Sequence, residues 1–198
     1  IATAVNAPYK TMDQYVQWLK QHPAQGSLGL ASIGSAGHLG AFALSKELGL
    51  SVTPTPYRGA TPMLVDVVSG NVSMGWDAVA SMMPLYRGNK LHFRGVSGTR
   101  RIKALPEVPT AFEQGYKQFE PATSWYGAYV SGATPEPVKT RLQEAFLKAS
   151  RNPATAARLE DLGLEVVGRP GADARERMLK ERAAWSPIVK ASGFEAQD

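Results

Sequence analysis

Strands and helices alternate strictly through the first half of the chain, and this alternation constrains the fold more than any other feature of the sequence. Short apolar runs typical of strands are separated by segments whose apolar residues recur at helical spacing. The strands are expected at 28–32, 52–56, 72–76 and 91–97, and the helices between them at 38–48, 62–70 and 79–86. This order favours right-handed βαβ crossovers and a mainly parallel sheet flanked by helices, which is an α/β fold.

Further elements are predicted on both sides of this alternating unit. Thr11 and Gln14 form a capping-box pair that begins a first helix, and Pro23 ends it. The other expected elements are a strand at 1–5, a short helix near 111–114, strands at 125–130 and 164–167, and helices starting near 135, 154 and 173. The apolar faces of the last three helices need a partner, and the first sheet is too small to cover all of them.

Composition narrows the function classes. The chain has 198 residues, 43% of them hydrophobic and 20% charged, which indicates a globular protein with a packed core. No apolar run approaches a membrane span, so direct membrane insertion is not expected. The net charge of +5 is spread thinly, with only Arg100 and Arg101 adjacent, which disfavours nucleic acid as a partner and favours a mild attraction for anionic solutes.

Metal and thiol chemistry have little support in the sequence. The absence of cysteine excludes disulfides and thiolate ligands in this chain. The three histidines, His22, His38 and His92, fall on different predicted elements without a cluster of carboxylates. No metal and no cofactor are therefore expected.

A loop rich in glycine and serine joins the first strand of the alternating unit to the helix that follows it. Such a loop presents backbone N–H groups and the positive end of a helix dipole at one place, which suits an anion. No phosphate-loop lysine follows, so a small carboxylate fits better than a nucleotide. The candidate ligand contacts in this loop are Ser32, Gly34, Ser35, Ala36, Gly37 and His38. The alternative is an ordinary βα turn, with His38 packing beneath the loop.

Two further candidates lie on neighbouring βα loops, where ligands of parallel sheets bind. Asp77 ends a strand, and its carboxylate is expected either to hold a ligand amino or hydroxyl group or to cap the next helix. Tyr57 lies on the loop after another strand, beside Arg58, which is either a carboxylate partner or a solvated surface charge. Ser35, His38 and Asp77 also offer the residue types of a hydrolase triad, although the loop lacks the Gly-x-Ser-x-Gly elbow.

The order of several motifs resembles one known family, the extracytoplasmic solute receptors of tripartite tricarboxylate transporters, also called Bug receptors. The Leu-Pro-x-Val-Pro-Thr and Pro-Tyr-x-Gly segments are the most specific signals. The matching pieces cover nearly the whole chain and comprise residues 30–39, 56–62, 70–77, 100–110 and 125–127, with Glu181 and Trp185 near the end.

The resemblance implies a two-lobed, periplasmic-binding-protein-like clamshell that captures a small organic anion, a carboxylate or an amino acid, without catalysis. It implies a periplasmic location and membrane permease subunits as partners. A sensing module for a membrane histidine kinase would share the same cleft and differ only in its partner, and it stays open as an alternative. Residues 7–124 would form the second lobe. Residues 1–6 and 125–198 would be crossing segments and helices of the first lobe, which is expected to be incomplete because the family's opening strand and Pro-Gly-Gly loop would precede residue 1.

Overall fold

The computed structural model of the chain describes residues 1–120 and 122–194. Position 121 of the predicted 7–124 lobe and the last four residues of the predicted 125–198 segment lie outside the described residues. The strands are β1 (Ala2–Ala4), β2 (Ser27–Leu30), β3 (Thr53–Pro56), β4 (Met74–Trp76) and β5 (Leu91–Phe93). The α-helices are α1 (Met12–Gln21), α2 (Ala36–Leu48), α3 (Ala60–Ser69), α4 (Val79–Arg87), α5 (Glu136–Ser150), α6 (Pro153–Asp161) and α7 (Gly171–Ser192).

The five strands form one mixed sheet in the order β3-β2-β4-β1-β5. β2 runs parallel to both β3 and β4, as the alternation predicts. β1 lies between β4 and β5 and is antiparallel to both, so the parallel character belongs to the βαβ part of the sheet. The expected α/β class is confirmed.

Helices cover both faces of the sheet, and each face has its own apolar core. Buried side chains of α1 and α2, including Tyr15 and Leu44, pack on one face, where the 3-10 turn Lys117–Phe119 adds Phe119. Buried side chains of α3 and α4, such as Met63 and Met82, pack on the other face. The result is a three-layer unit in which the loops after β2, β3 and β4 stay free at one edge.

The start of α1 follows the predicted cap with one change of partner. The hydroxyl oxygen of Thr11 accepts the N–H of Gln14 at 3.2 Å. The Gln14 side chain reaches back one residue further than a capping box requires and accepts the N–H of Lys10 at 2.7 Å. The amide of Gln14, in the first turn of the helix, and that of Lys10, just before its N-cap, are satisfied in this way.

Three predicted elements are wrong. Segments 125–130 and 164–167 form no strand, because neither has a partner strand within the described parts of the chain, and Tyr126 is 76% exposed. The expected helix at 111–114 is a single turn: Thr110 and Glu113 cap each other reciprocally, and Gly115, at a φ of 92°, ends the turn.

Helices α5, α6 and α7 have no buried residue. α6 is tied to the three-layer unit by exposed ion pairs, the best of which joins Arg87 to Asp161 at 2.6 Å. α7 is tied to segment 125–130 by the indole N–H of Trp125, which donates to Glu181 at 2.8 Å. Among residues 1–120 and 122–194, no helix combines the length and the hydrophobicity needed to cross a bilayer.

Candidate functional site

The loops after the parallel strands lie side by side at one edge of the sheet. The N–H of Tyr57 donates to the carbonyl oxygen of Leu30 at 2.9 Å, and that of Gly59 donates to Ala31 at 3.3 Å. These bonds join the β3–α3 loop to the start of the β2–α2 loop. β4, on the other side of β2, brings Trp76 and Asp77 to the same edge. The structure therefore gathers the predicted site residues at the carboxyl ends of the parallel strands.

The β2–α2 loop is shaped by hydrogen bonds within it. Gly34 has a φ of 76°, a conformation that favours glycine, and its N–H donates to Nδ1 of His38 at 3.1 Å. Ser35 is the N-cap of α2, and its hydroxyl oxygen accepts the N–H of His38 at 3.4 Å. Serine and histidine thus hold the turn that starts the helix.

The imidazole of His38 is a neutral donor in this arrangement. Because Nδ1 accepts the Gly34 amide, the ring proton lies on Nε2. Burial lowers the pKa of His38 because it disfavours the imidazolium form. Nε2–H remains able to donate to a ligand, and the alternative packing role is also realised, since the same ring holds Gly34 in place.

Two amides of the first turn of α2 are free. Within the described ranges, the N–H groups of Ala36 and Gly37 have no protein acceptor at hydrogen-bonding distance. Such groups point along the helix axis away from the helix and carry its positive end. Ser32, which precedes them, is exposed, whereas Ala36 is half-buried and Gly37 is buried. This end of α2 can therefore receive the oxygens of an anion.

Close packing explains why Gly37 is a glycine. A Cβ built on Gly37 would overlap the indole of Trp76. One turn on, a Cβ on Gly40 would lie 2.7 Å from Cε1 of Phe119, which stacks on Trp76 with ring centroids 5.1 Å apart. The two glycines bring the start of α2 against the end of β4. The structure thus adds Trp76 to the candidate site as a neighbour that sequence analysis did not select.

Asp77 does not cap α4. The N-cap of that helix is Ala78, which makes no side-chain cap, and Oδ2 of Asp77 accepts the hydroxyl of Ser81 at 2.6 Å. Oδ1 of Asp77 has no hydrogen-bond partner in the part of the chain that the structure describes. The predicted capping alternative is wrong, and one carboxylate oxygen stays available at the edge of the site.

The hydroxyl of Tyr57 is engaged within its own loop and helix. It donates to Oδ2 of Asp66 on α3 at 2.6 Å, and burial, with this bond, raises the pKa of Tyr57 to about 12. Asn71 donates to the other oxygen of Asp66. The neighbouring Arg58 is exposed. Only the ring and the backbone of Tyr57 are thereby left to face a ligand.

The geometry does not assemble a hydrolase triad. Ser35 contacts the backbone N–H of His38 rather than its ring, the ring contacts Gly34, and Asp77 contacts Ser81. A triad needs hydrogen bonds from nucleophile to base and from base to carboxylate. Across residues 1–120 and 122–194, no group of three or more acidic or histidine side chains lies close enough to hold a metal ion.

Phe194 is a neighbour of the site that sequence analysis missed. It follows α7, and its ring lies against Gly34 and edge-on to the ring of His38, with centroids 5.9 Å apart. No local pattern could predict this contact, because it joins two segments that lie far apart in the sequence. The end of α7 and the β2–α2 loop therefore form one surface.

A mixed sheet between helical layers, with free amides at the carboxyl ends of its parallel strands, is the architecture of periplasmic-binding-protein-like solute receptors. The family model described as "Tripartite tricarboxylate transporter family receptor" matches residues 1–194, and the chain belongs to this family. The resemblance carried by the sequence motifs is thereby confirmed.

Relatives and solved structures agree with this placement. A UPF0065 protein from the TAR-I ttuE-ttuC' intergenic region of Agrobacterium vitis is 30% identical over 81% of this chain and 46% of its own length. Rpa4515 of Rhodopseudomonas palustris, solved with adipate, superposes with a TM-score of 0.89 at 25% identity, over 97% of this chain and 64% of that one. The periplasmic binding protein BugD superposes with a TM-score of 0.86 at 26% identity, over 99% of this chain and 66% of that one. The chain thus spans about half the length of the curated relatives it matches.

Proposed function

We propose that this protein is a periplasmic receptor that binds a small organic anion reversibly and presents it to the membrane permease of a tripartite tricarboxylate-type transporter. Binding involves no bond making or breaking. The observation that carries the proposal is the pair of free amides at Ala36 and Gly37, in a chain that belongs to this receptor family. The structure of Rpa4515 with adipate supports a carboxylate as the ligand class.

The ligand would be held mainly by uncharged donors. The amides of Ala36 and Gly37 would bind one carboxylate, with the hydroxyls of Ser32 and Ser35 and Nε2–H of His38 around it. Hydrogen bonds to a charged acceptor are stronger than those between neutral groups, so a few preorganised donors can supply the affinity. Gly34 would contribute through the turn that it makes, because its N–H donates to His38 and the ring of Phe194 lies against it.

Two residues on the neighbouring loops would contact the rest of the ligand. The ring of Tyr57 would pack against its carbon body, since the hydroxyl is held by Asp66. The free oxygen of Asp77 would accept from a ligand hydroxyl or amino group. An unsubstituted dicarboxylate has no hydroxyl or amino group to donate, so this oxygen of Asp77 would be hydrated instead.

The division into lobes is part of the same proposal. Residues 7–124 would form one lobe, and residues 1–6 and 125–198 would be crossing segments and helices of the other. The cores of the described chain support this, because all their buried residues lie within residues 1–122, whereas α5, α6 and α7 bury none. Exposed apolar side chains of this region, among them Tyr129, Val138 and Phe146, would pack on the rest of the first lobe.

A substitution that deletes one amide tests the site directly. Ala36 is the first residue of α2, where proline is tolerated, and Ser35 before it has a φ of −67° and a ψ of 163°, which suit a residue preceding proline. Ala36→Pro should therefore keep the helix and remove one N–H. Ala36→Ser at the same position keeps the N–H and is the matched control.

The measurement is calorimetric titration of the intact protein with adipate, citrate and glutamate, after a thermal-shift screen. We expect at least one anion to raise the melting temperature. Ala36→Pro should weaken its binding roughly tenfold or more, the equivalent of one hydrogen bond to a charged group, with Ala36→Ser near the unsubstituted protein. No stabilisation by any carboxylate or amino acid would overturn the proposal.

A further inference from the structure

Phe194 lies where the end of α7 meets the β2–α2 loop. Gly193 ends α7 in the left-handed conformation, with a φ of 66°, and turns the chain back toward α2. The N–H of Phe194 donates to the hydroxyl oxygen of Ser192 at 3.2 Å, which fixes the turn. The half-buried side chain is thereby directed at the loop.

The ring of Phe194 occupies the space beside Gly34 that a side chain would need. A Cβ built on Gly34 would lie 2.6 Å from Cζ of Phe194. The same ring meets the imidazole of His38 edge-on, at an interplanar angle of 82°. Phe194 therefore contacts both partners of the Gly34–His38 hydrogen bond, which is the bond that shapes the loop.

α7 is itself held at points distant from the loop. Trp185, two turns before Phe194, packs against the core on the α1 and α2 face. Glu181 accepts the indole N–H of Trp125 and pairs with Arg177 at 2.7 Å, and the Arg177 guanidinium lies 5.2 Å from the centre of the Trp125 ring. These contacts give Phe194 a fixed support, so that its ring can restrain a loop that lies on another part of the fold.

We propose that Phe194 is a positioning residue of the anion-binding loop: by covering Gly34 and His38 it holds the α2 amides ready for a ligand. Ordering a loop before binding removes part of the entropy cost of binding, so affinity depends on a side chain that touches no ligand atom. The role in affinity rests on the proposed function, whereas the restraint on His38 does not.

The first experiment needs no ligand. The imidazole of His38 is titrated by NMR in the intact protein and in Phe194→Ala. Burial lowers the pKa of this imidazole, and removal of the covering ring should raise it toward the ordinary value near 6.5. Phe194→Leu keeps an apolar side chain over His38 and should raise its pKa by less. Val65→Ala, at an exposed position of α3, is the control and should leave the pKa unchanged.

The second experiment measures adipate affinity in the same variants. Phe194→Ala should weaken binding about threefold to tenfold, mostly through faster dissociation, and Val65→Ala should leave the affinity unchanged. An unchanged pKa of His38 in Phe194→Ala would overturn the restraint, and an unchanged affinity alongside a raised pKa would overturn its role in binding. If adipate does not bind the unsubstituted protein, the proposed function is affected, while the titration still decides whether Phe194 restrains the loop.

Discussion

Ser27 and Ser73 exchange three hydrogen bonds across the start of β2 and the residue before β4. The N–H of each serine donates to the hydroxyl oxygen of the other at 2.9 Å, and the hydroxyl of Ser73 donates to the carbonyl oxygen of Ser27 at 2.6 Å. The pair extends the β2–β4 ladder beyond its last backbone bonds. Because the Ser73 hydroxyl donates to Ser27, the bond of 3.0 Å to Tyr15 must be donated by the tyrosine.

Ser73→Ala should destabilise the fold more than an ordinary serine deletion. The substitution leaves the N–H of Ser27 and the buried hydroxyl of Tyr15 without their acceptor, which costs about 1–3 kcal/mol. The free energy of unfolding in urea measures the loss. Ser51→Ala, at an exposed position, is the control and should change stability little. Equal effects of the two substitutions would show that the reciprocal pair contributes nothing.

Gly37→Ala should also destabilise the protein, although alanine is the better helix former. The added methyl group meets the Trp76 indole, and forcing space in a packed region costs about 1–3 kcal/mol. Gly171→Ala is the matched control at the start of α7: its Cβ would meet only Oε1 of Gln143 at 3.5 Å, so it should stabilise by about 0.4–1 kcal/mol. The melting temperatures of both variants test this prediction. A higher melting temperature for Gly37→Ala than for the unsubstituted protein would contradict the packing role.

Tyr57→Phe should change the titration of Asp66 and leave anion affinity as it is. The bonds from Tyr57 and Asn71 lower the pKa of Asp66, so the carboxylate stabilises the folded state above its unfolded pKa of about 3.9, and this contribution is lost as the pH falls through the lower folded value. Without the phenol, the pKa of Asp66 should rise and less stability should be lost on acidification.

Carboxyl-carbon NMR titration of Asp66 measures this change, and calorimetry with adipate measures affinity. Asn71→Ala removes the other donor and should raise the pKa of Asp66 in the same direction. A large loss of affinity in Tyr57→Phe would mean that the hydroxyl serves the ligand rather than Asp66.

Asp161→Asn should make a small, salt-dependent change in the attachment of α6. The Asp161 carboxylate accepts two bonds from Arg87, but both side chains are at least half exposed, and salt screens such pairs. Urea unfolding at low and high NaCl should show a difference from the unsubstituted protein only at low salt. Glu144→Gln, at an exposed position of α5 that enters no ion pair in the described part of the chain, controls for loss of charge alone. A difference that persists at high salt would contradict the electrostatic origin.

Local patterns predicted most elements of the βαβ unit, because periodicity, caps and glycine stops are local properties. Thr11 marks the start of α1, and Gly49 and Gly70, both with positive φ, follow the ends of α2 and α3. Local patterns failed where the formation of a strand depends on pairing with a distant segment. The aromatic run at 125–130 has strand composition, yet a strand exists only if another segment accepts its backbone bonds.

The site was predictable in outline and not in its internal contacts. The loop 32–38 and the carboxyl-end rule placed Ser35, His38 and Asp77 at one edge. That Asp77 would bond Ser81, that His38 would accept the Gly34 amide, and that Phe194 would cover both depends on side-chain packing between distant segments. None of these carries a signal of its own in the sequence.

The position of β1 in the sheet has a consequence for biosynthesis. Ala2 pairs with both Gly75 and Phe93, so β1 can take its place only after β4 and β5, which follow it in the chain, have emerged from the ribosome. Until then its three residues, all buried in the finished sheet, must stay without partners while β2, β3 and β4 assemble. Slow sheet closure, or capture of this strand by another nascent chain, is the vulnerability that such a topology creates.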